Sequence, residues 1–211
     1  MKDEKATKQK LLMAAKSEFM EKGYTKASLR SICRQAGVTT GALYFFFQDK
    51  EDLFASLVEQ PVRQLMELMM SHYEEESDER ELQKVCSMDF EEDFSEMAQI
   101  VHYMYQYYDE FLMVLTKAQG SRFENFVDQS VDITEKHYRM IADRLSQMMQ
   151  KPRLEDDIVH WVSHTQINAF VHVLTHETSE EKAMVYMKTV VKFLISGWLA
   201  ILGILDENNG K

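Results

Sequence analysis

The sequence predicts an all-α fold of about nine helices, and three observations support that class. The 211 residues include only seven Gly and two Pro, so few residues would interrupt a helix. Good helix formers such as Leu, Met, Ala, Glu, Lys and Gln are abundant. No segment shows the alternation of apolar and polar residues between turn signals that is typical of a half-buried β-strand.

The first fifty residues predict three helices separated by glycines. Apolar residues recur at helical spacing in the first helix, which begins near Thr7 and ends at Gly23. Ser28 is a good N-cap for a short second helix, and Gly37 ends it. Thr39 leads into a short third helix.

The rest of the chain predicts six further helices without a linker-like segment. Their approximate spans are 50–73, 80–107, 110–118, 124–150, 152–175 and 178–205. Asp49 is expected to cap the first of these helices, and Pro61 to kink it. Pro152 suits the first turn of the fifth helix, and Thr178 with Glu181 forms a capping box for the last.

Charge is distributed unevenly along the chain, whose net charge is −11. Residues 1–50 hold ten Lys or Arg and five Asp or Glu, a net charge of +5. Residues 51–211 hold 14 and 30, a net charge of −16. A basic first quarter on an acidic body is typical of a protein that meets phosphate groups with that quarter alone.

Cysteine usage and hydropathy favour a cytoplasmic protein without a membrane partner. Cys33 and Cys86 are far apart and form no CxxC motif, so a disulfide framework is not expected. The apolar run 193–205 is 13 residues long, short of the roughly 20 that a membrane span needs. The polar N-terminus shows no signal region.

Residues 28–47 have the arrangement of a helix-turn-helix. Two short helices meet at a turn that contains Gly37, whose backbone can adopt the left-handed conformation. The second helix begins with the small and polar residues Thr39 to Ala42. Short side chains let a helix approach base edges closely, and hydroxyl groups can reach bases or phosphates.

This segment resembles the DNA-binding domain of the TetR family of bacterial regulators. The residues that carry the resemblance are Gly37-Val38-Thr39-Thr40-Gly41-Ala42-Leu43-Tyr44, Phe47 and Asp49-Lys50-Glu51-Asp52-Leu53, preceded by Glu21-Lys22-Gly23-Tyr24. The specific match extends from Thr7 to Leu57. It implies a DNA-binding domain over residues 1–50 and a ligand-binding and dimerisation domain over residues 51–211.

Carried over by position, the resemblance implies a set of DNA contacts. The implied residues are Ser28, Arg30, Thr39, Thr40, Gly41, Ala42, Tyr44, Phe45 and Lys50. Phe45 and Phe46 depart from the family, which often has hydrogen-bonding side chains there. A Phe ring makes only apolar contacts, for instance with thymine methyls or sugars, so the usual phosphate contacts are not implied at these two positions.

The last predicted helix is apolar on nearly all sides, which favours burial on several sides. The family pairs its last two helices across a two-fold axis, so the resemblance implies a homodimer on a palindromic operator. The interface residues expected on this helix are Phe193, Leu194, Trp198 and Ile201. A core helix within one chain is the alternative.

The central helices are rich in Met and aromatic residues, which adapt to irregular apolar guests. The resemblance implies a cavity there for a small, largely apolar inducer. The expected ligand-binding residues are Met66, Tyr103, Tyr107, Phe111, Trp161, His164 and Phe170. Ordinary core packing is the alternative for each of them.

Two histidine pairs with i, i+4 spacing could each hold a metal ion from one helix face: His160 with His164, and His172 with His176. The two pairs cannot share one site within a chain, because 16 residues of helix rotate their faces apart by about 160°. No Cys lies nearby and no HExxH motif occurs. We expect neither a metal nor a cofactor.

The sequence as a whole predicts a ligand-responsive transcription regulator, a repressor that an inducer releases from DNA. An enzyme is not expected, because nucleophile elbow, P-loop, dinucleotide and paired-carboxylate motifs are all missing. Two alternatives are kept. One is a helix-turn-helix scaffold that binds a protein partner through Phe45 and Phe46. The other is a helical enzyme with an apolar active site.

Overall fold

The computed structural model describes residues 2–75 and 91–201, and every regular element in them is an α-helix. The helices are α1 (Lys2–Lys26), α2 (Leu29–Ala36), α3 (Thr40–Phe46), α4 (Lys50–Glu75), α5 (Glu91–Gln106), α6 (Tyr108–Lys117), α7 (Phe126–Met148), α8 (Asp156–His176) and α9 (Glu180–Ile201). These nine helices confirm the predicted all-α class. Cys86 and the predicted end of the last helix lie outside the described residues.

The chain forms two compact units that alternate along the sequence. The first joins the residues up to Gln64 with Tyr107–Phe126, and the second joins Leu65–Gln106 with the residues from Val127 onward. These units are defined by packing, whereas the predicted boundary at residue 50 divides functions. That boundary stays a prediction.

The core of the first unit forms around α1, which packs against α2, α3 and α6. Its largest fully buried side chains are Leu11, Phe19, Ile32, Leu43, Leu53, Phe54, Phe111 and Met113. The ring of Phe54 lies edge-on to Phe19 at 5.0 Å and to Tyr24 at 5.3 Å, and 5.9 Å from Phe123. Such aromatic contacts add directional packing to the burial of apolar area.

Polar contacts join α1 to the α6 segment across a long stretch of sequence. Lys16 Nζ lies 2.9 Å from a carboxylate oxygen of Asp109 and 2.9 Å from one of Glu110. The Thr25 hydroxyl donates a hydrogen bond to the Gln119 carbonyl at 2.7 Å. The end of α1 and the segment after α6 are therefore held in one body.

Short-range capping signals place α2 and α3 as the sequence predicts. Ser28 accepts a hydrogen bond from the Ser31 N–H, and Thr39 Oγ1 accepts one from the Ala42 N–H at 3.2 Å. Gly37 has φ 69°, the left-handed conformation that the turn requires. The helix-turn-helix geometry is thus confirmed from its caps outward.

The boundary of α1 differs slightly from the prediction. The helix begins at Lys2 and continues to Lys26, with Gly23 inside it at φ 74° and ψ 163°. Those angles are not helical, so Gly23 breaks the helix at the predicted place. The chain then resumes one more turn, because the Ala27 N–H bonds to the Gly23 carbonyl at 3.0 Å.

Side-chain N-caps are present at the starts of α4 and α9. The cap of α4 is the predicted residue, and the cap of α9 is not. Asp49 Oδ1 accepts from the Asp52 N–H at 2.8 Å, which confirms Asp49 as the cap of α4. At α9 the cap is Ser179, whose Oγ accepts from the Lys182 N–H at 3.4 Å. The predicted cap, Thr178, is wrong by one residue.

The predicted start of α8 at Pro152 is wrong, because the helix begins at Asp156. Arg139 of α7 donates a hydrogen bond to the Leu154 carbonyl at 2.9 Å and another to Asp156 at 3.2 Å. This tertiary contact holds the segment outside the helix, and it overrides the local preference of proline for a first turn.

The second unit has its core where α5, α8 and α9 meet and where α7 meets α9. The first cluster contains the buried residues Met97, Val101, Val173, Ala183 and Met187. The second contains Leu145 and Leu199, with Ile141, Met149, Leu154, Ile195 and Trp198 packed against them. One side of α9 is therefore buried within a single protomer.

The other side of α9 leaves large apolar side chains exposed: Val185, Tyr186, Phe193 and Ile201. Burial on several sides, as the sequence predicts, would therefore need a partner. By length and composition alone α9 could also cross a membrane, a property that core helices of water-soluble proteins share. The predicted absence of a span considered only the 13-residue run, so it stays a prediction.

Candidate nucleic-acid interface

Helix α3 presents one face to the core and the opposite face to solvent. Leu43 and Phe47 are buried, whereas Tyr44 and Phe45 are 58% and 71% exposed. Thr40 and Gly41 are exposed on the same outer face, one turn earlier. The residues predicted to approach bases are thus brought together on a single accessible surface.

Two further predicted contact residues lie at the start of α2. Ser28 and Arg30 are exposed, and Arg34 is exposed one turn after Arg30. Lys8 of α1 places its ammonium 5.5 Å from the ring centre of Phe47, beside the end of α3. Basic side chains of α1 and α2 therefore belong to the same compact unit as α3.

A buried carboxylate, which sequence reasoning missed, fixes the start of α2 to α1. Glu18 is only 3% exposed, and it accepts hydrogen bonds from the Ser28 N–H at 3.2 Å and the Ser31 hydroxyl at 2.9 Å. Lys22 Nζ lies 2.8 Å from the same carboxylate. The available signal was an acidic residue on the inward face of α1, next to Phe19.

The environment of Glu18 keeps it ionised. Burial on its own raises the pKa of this carboxyl, but the hydrogen bonds from Lys22, Ser31 and Ser28 outweigh that effect. The pKa of Glu18 therefore lies below its ordinary value of 4.5. The charge also lies at the N-terminal end of α2, where the helix dipole favours an anion.

Lys50, predicted to contact phosphate, is engaged within the protein. Its Nζ donates to the carbonyls of Tyr24 at 2.8 Å, Thr25 at 3.3 Å and Ala27 at 3.5 Å. The ammonium also lies 4.5 Å from the ring centre of Tyr24. Lys50 therefore closes the end of α1, and a phosphate contact would have to displace one of these acceptors.

The hydroxyl of Thr39 also has an internal role, because its oxygen caps α3. The neighbouring Thr40 is exposed, and Ala42 is half-buried. Of the nine predicted DNA contacts, Ser28, Thr39 and Lys50 thus support the local fold directly. The other exposed residues face solvent from α2 and α3.

Comparison with known proteins agrees with this geometry. Residues 11–57 match the family model described as bacterial regulatory proteins, tetR family. A transcriptional repressor of Brucella suis, BepR, is 44% identical over 52 residues, 25% of each chain.

Over residues 11–57 the chain is therefore similar to TetR/AcrR-type regulators.

A second relative, a fatty acid metabolism regulator protein of Bacillus subtilis, extends the similarity beyond the helix-turn-helix. It is 31% identical over 81 residues, which are 38% of this chain and 42% of the relative. The chain thus spans only 25% of the length of the first relative and 42% of the second.

Two solved structures of bacterial regulators share the fold over nearly the whole chain. A regulator from Aquifex aeolicus superposes with a TM-score of 0.52 at 18% identity, over 92% of this chain and 99% of that one. The fatty acid degradation regulator FadR from Bacillus halodurans gives 0.55 at 15% identity, over 90% and 95%. At these identities the likeness establishes the all-α fold.

The ligand-binding residues predicted for this chain are divided between the two units. Met66, Tyr103, His164 and Phe170 are half-buried in the second unit, whereas Tyr107 and Phe111 belong to the first. Phe111 is completely buried near Phe126 and has no surface to offer a ligand. Trp161 is 58% exposed on α8, so it does not line the interior of a single protomer.

The residues predicted at the dimer interface differ in their exposure. Phe193 and Ile201 are exposed on α9, while Leu194 and Trp198 are half-buried. The Trp198 indole packs against the Leu145 cluster, with its ring centre 5.0 Å from that of Tyr138. Trp198 therefore contributes to packing within its own protomer.

The histidine pairs have their rings close together, as helical spacing requires. The ring centres of His160 and His164 are 4.5 Å apart, and those of His172 and His176 are 4.3 Å apart. His160 Nδ1 also lies 2.6 Å from a carboxylate oxygen of Glu135. In the part of the chain that the structure describes, no three potential ligands are grouped to hold a metal ion.

Proposed function

We propose that this chain is a ligand-responsive DNA-binding transcription regulator, a cytoplasmic repressor rather than an enzyme. In this proposal a homodimer binds a palindromic operator, and a small, largely apolar inducer releases it. The observation that carries the proposal is the exposed outer face of α3, in a segment of net positive charge whose Arg30 and Arg34 are also exposed. No cofactor and no membrane partner are part of it.

Electrostatics favour a polyanionic partner for this region alone. Residues 1–50 carry a net charge of +5 in a chain of net charge −11. An acidic body is repelled by a duplex, so contact is favoured only through the basic segment. Arg30 and Arg34 are exposed to meet phosphates, while the outer face of α3 is open to base edges.

Relatives support the regulatory role. BepR, with 44% identity over 52 residues, is described as a transcriptional repressor. The Bacillus subtilis relative, with 31% identity over 81 residues, is described as a regulator of fatty acid metabolism. An apolar inducer is consistent with that name and with the Met and aromatic content of the second unit.

The proposed DNA contacts are Ser28, Arg30, Thr39, Thr40, Gly41, Ala42, Tyr44, Phe45 and Lys50. The proposed inducer contacts are Met66, Tyr103, His164 and Phe170, which share the second unit. The exposed side chains of Phe193 and Ile201 support α9 as the dimer contact. One helix-turn-helix makes few base contacts, so two copies on two half-sites would supply the affinity.

Binding to the DNA upstream of the chain's own gene tests the proposal. The protein should retard that duplex, with an affinity that falls steeply as salt concentration rises. Arg30→Ala should weaken binding and flatten the slope of log affinity against log salt by about one for each phosphate that the variant no longer neutralises. Lys136→Ala removes the same charge from an exposed position on α7 and should leave the slope unchanged.

A failure to bind any duplex even at low salt would contradict the proposal. In that case Phe45, which is largely exposed and packs against the half-buried Phe46 with ring centres 4.9 Å apart, would favour a protein partner instead. The salt dependence separates the two outcomes, since an apolar protein contact does not release counterions.

A further inference from the structure

The outer face of α3 combines a glycine with a phenylalanine four residues later. Gly41 and Phe45 are neighbours on this face because residues four apart lie on the same side of a helix. The Phe45 side chain is 71% exposed. Neither residue is a choice that folding alone would favour at an exposed helix position.

Gly41 is not required by the fold of the chain. Its backbone is helical, and it is not among the glycines with positive φ. Among the described residues, the nearest atom to a Cβ built on Gly41 would be Thr39 Oγ1, at an ordinary 3.8 Å. Space for a side chain is therefore open, and the glycine instead keeps the helix surface low beside Phe45.

The exposed Phe45 ring is held by contacts with neighbouring rings. It packs edge-on against Phe46, with ring centres 4.9 Å apart and planes at 86°. The ring centre of Phe46 in turn lies 6.4 Å from that of Phe47, which is buried. This chain of rings connects an exposed apolar side chain to the core, which limits the conformations that the Phe45 ring can adopt.

The chemistry of this surface restricts what it can recognise in a DNA groove. A phenyl ring has no hydrogen-bond donor or acceptor, so it cannot pair with the polar edges of G, C or A. Thymine is the one base whose major-groove edge carries an apolar group, the 5-methyl. Gly41 leaves room for that edge to approach.

We infer that Gly41 and Phe45 form an apolar reading surface that selects a thymine by its 5-methyl group in each half-site. The inference rests on the proposed DNA-binding function and names the base that one part of it reads. Arg30, Arg34 and Lys8 would supply affinity through phosphates, which carry no sequence information directly. Phe45 would supply discrimination at one position.

The test starts from duplexes that the full-length protein selects from a random library. Each thymine of an enriched duplex is then replaced singly by deoxyuridine, which removes the methyl group and leaves every hydrogen-bonding group in place. At one thymine in each half-site, replacement should weaken wild-type binding about fourfold, the factor expected for losing one buried methyl group.

The variant Phe45→Ala identifies the residue that reads the methyl group. It should bind the original duplex more weakly and lose the fourfold discrimination at that thymine, while other thymines behave as before. Because Phe45 is largely exposed, its removal should lower the unfolding temperature only slightly, by the loss of its contact with Phe46. Met13→Ala, at a 75% exposed position on α1, is the matched control and should retain the discrimination.

The outcomes separate the inference from the function on which it rests. Enriched duplexes whose thymines can all be replaced without loss would overturn the reading surface and leave DNA binding intact. A loss at the same thymine that persists at full size in Phe45→Ala would also overturn it. A library from which no duplex is enriched would overturn the proposed function and the inference together.

Discussion

Helices α3 and α9 both leave large apolar side chains exposed, but they lie in segments of the chain whose net charges differ in sign. Phe45 of α3 lies in the segment of residues 1–50, whose net charge is +5. Phe193 of α9 is 67% exposed in the segment of residues 51–211, whose net charge is −16. Groups of exposed apolar side chains are typical of interaction surfaces, and the net charge of the segment indicates which kind of partner it favours.

The variant Phe193→Asp tests whether the exposed face of α9 is a contact between two copies of the chain. If this face joins two copies, the variant buries a carboxylate against apolar surface, which costs on the order of 3 kcal/mol. The dimer should then dissociate at micromolar concentration in sedimentation experiments. Met13→Asp, on the exposed face of α1, should leave the oligomeric state unchanged. A Phe193→Asp dimer of undiminished stability would exclude this face as the contact.

Glu18 holds the start of α2, the helix that packs against α3. Glu18→Gln keeps the size of the side chain but removes the charge that Lys22, Ser28 and Ser31 stabilise. The free energy of unfolding at neutral pH should fall by about 2 kcal/mol in urea titrations. Glu21→Gln, at an exposed position on the same helix, should change it little.

The same variant predicts a pH dependence. The pKa of Glu18 is lowered in the folded protein, so its stabilisation is present above the ordinary value of 4.5 and is lost as pH falls through the folded value. The difference in unfolding free energy between wild type and Glu18→Gln should therefore shrink as the pH falls below 4.5. A difference that did not shrink in acid before the protein unfolded would contradict the role of the charge.

The variant Lys50→Ala distinguishes a role of Lys50 in stability from a role in DNA contact. The variant loses hydrogen bonds to three carbonyls and the packing against the Tyr24 ring, so its unfolding free energy should fall by about 1 to 1.5 kcal/mol. Lys26→Ala, in the last turn of α1, is the control of equal charge. Unchanged stability together with weaker DNA binding would instead assign Lys50 to phosphate alone.

Gly41→Ala should give the smallest effect on stability, with opposite signs for folding and binding. Alanine fits without a clash and favours a helix, so the free energy of unfolding should rise by about 0.5 to 1 kcal/mol. Affinity for a selected duplex should fall, because the added methyl group occupies the space beside Phe45. Ser17→Ala, exposed on α1, should also stabilise the helix but leave DNA affinity unchanged.

The parts of the molecule that could be predicted from sequence depend on short-range interactions. Ser28, Gly37 and Thr39 act on backbone groups within a few residues, so their types and spacing suffice to place α2 and α3. The match of residues 11–57 to a family model has the same origin, since that stretch is itself a local motif. The exposed face of α3 followed directly from these helix positions.

The parts that could not be predicted depend on contacts between distant segments. Pro152 lies outside α8 because Arg139 bonds to that segment, and the two residues are 13 apart in sequence. Phe111 carries the same apolar signal as a pocket residue, yet its segment returns to the first unit. Residue type alone did not distinguish core, pocket and surface for Trp161 and Phe111.

The contacts of Lys16 and Thr25 with the α6 segment have a consequence for protein engineering. The first unit is encoded in two pieces, because the chain leaves it after Gln64 and re-enters it at Tyr107. A chimera that exchanges only the N-terminal piece would separate Lys16 from Asp109 and Glu110. Grafting a new operator specificity onto this scaffold therefore requires either two exchanged fragments or changes confined to the solvent face of α3.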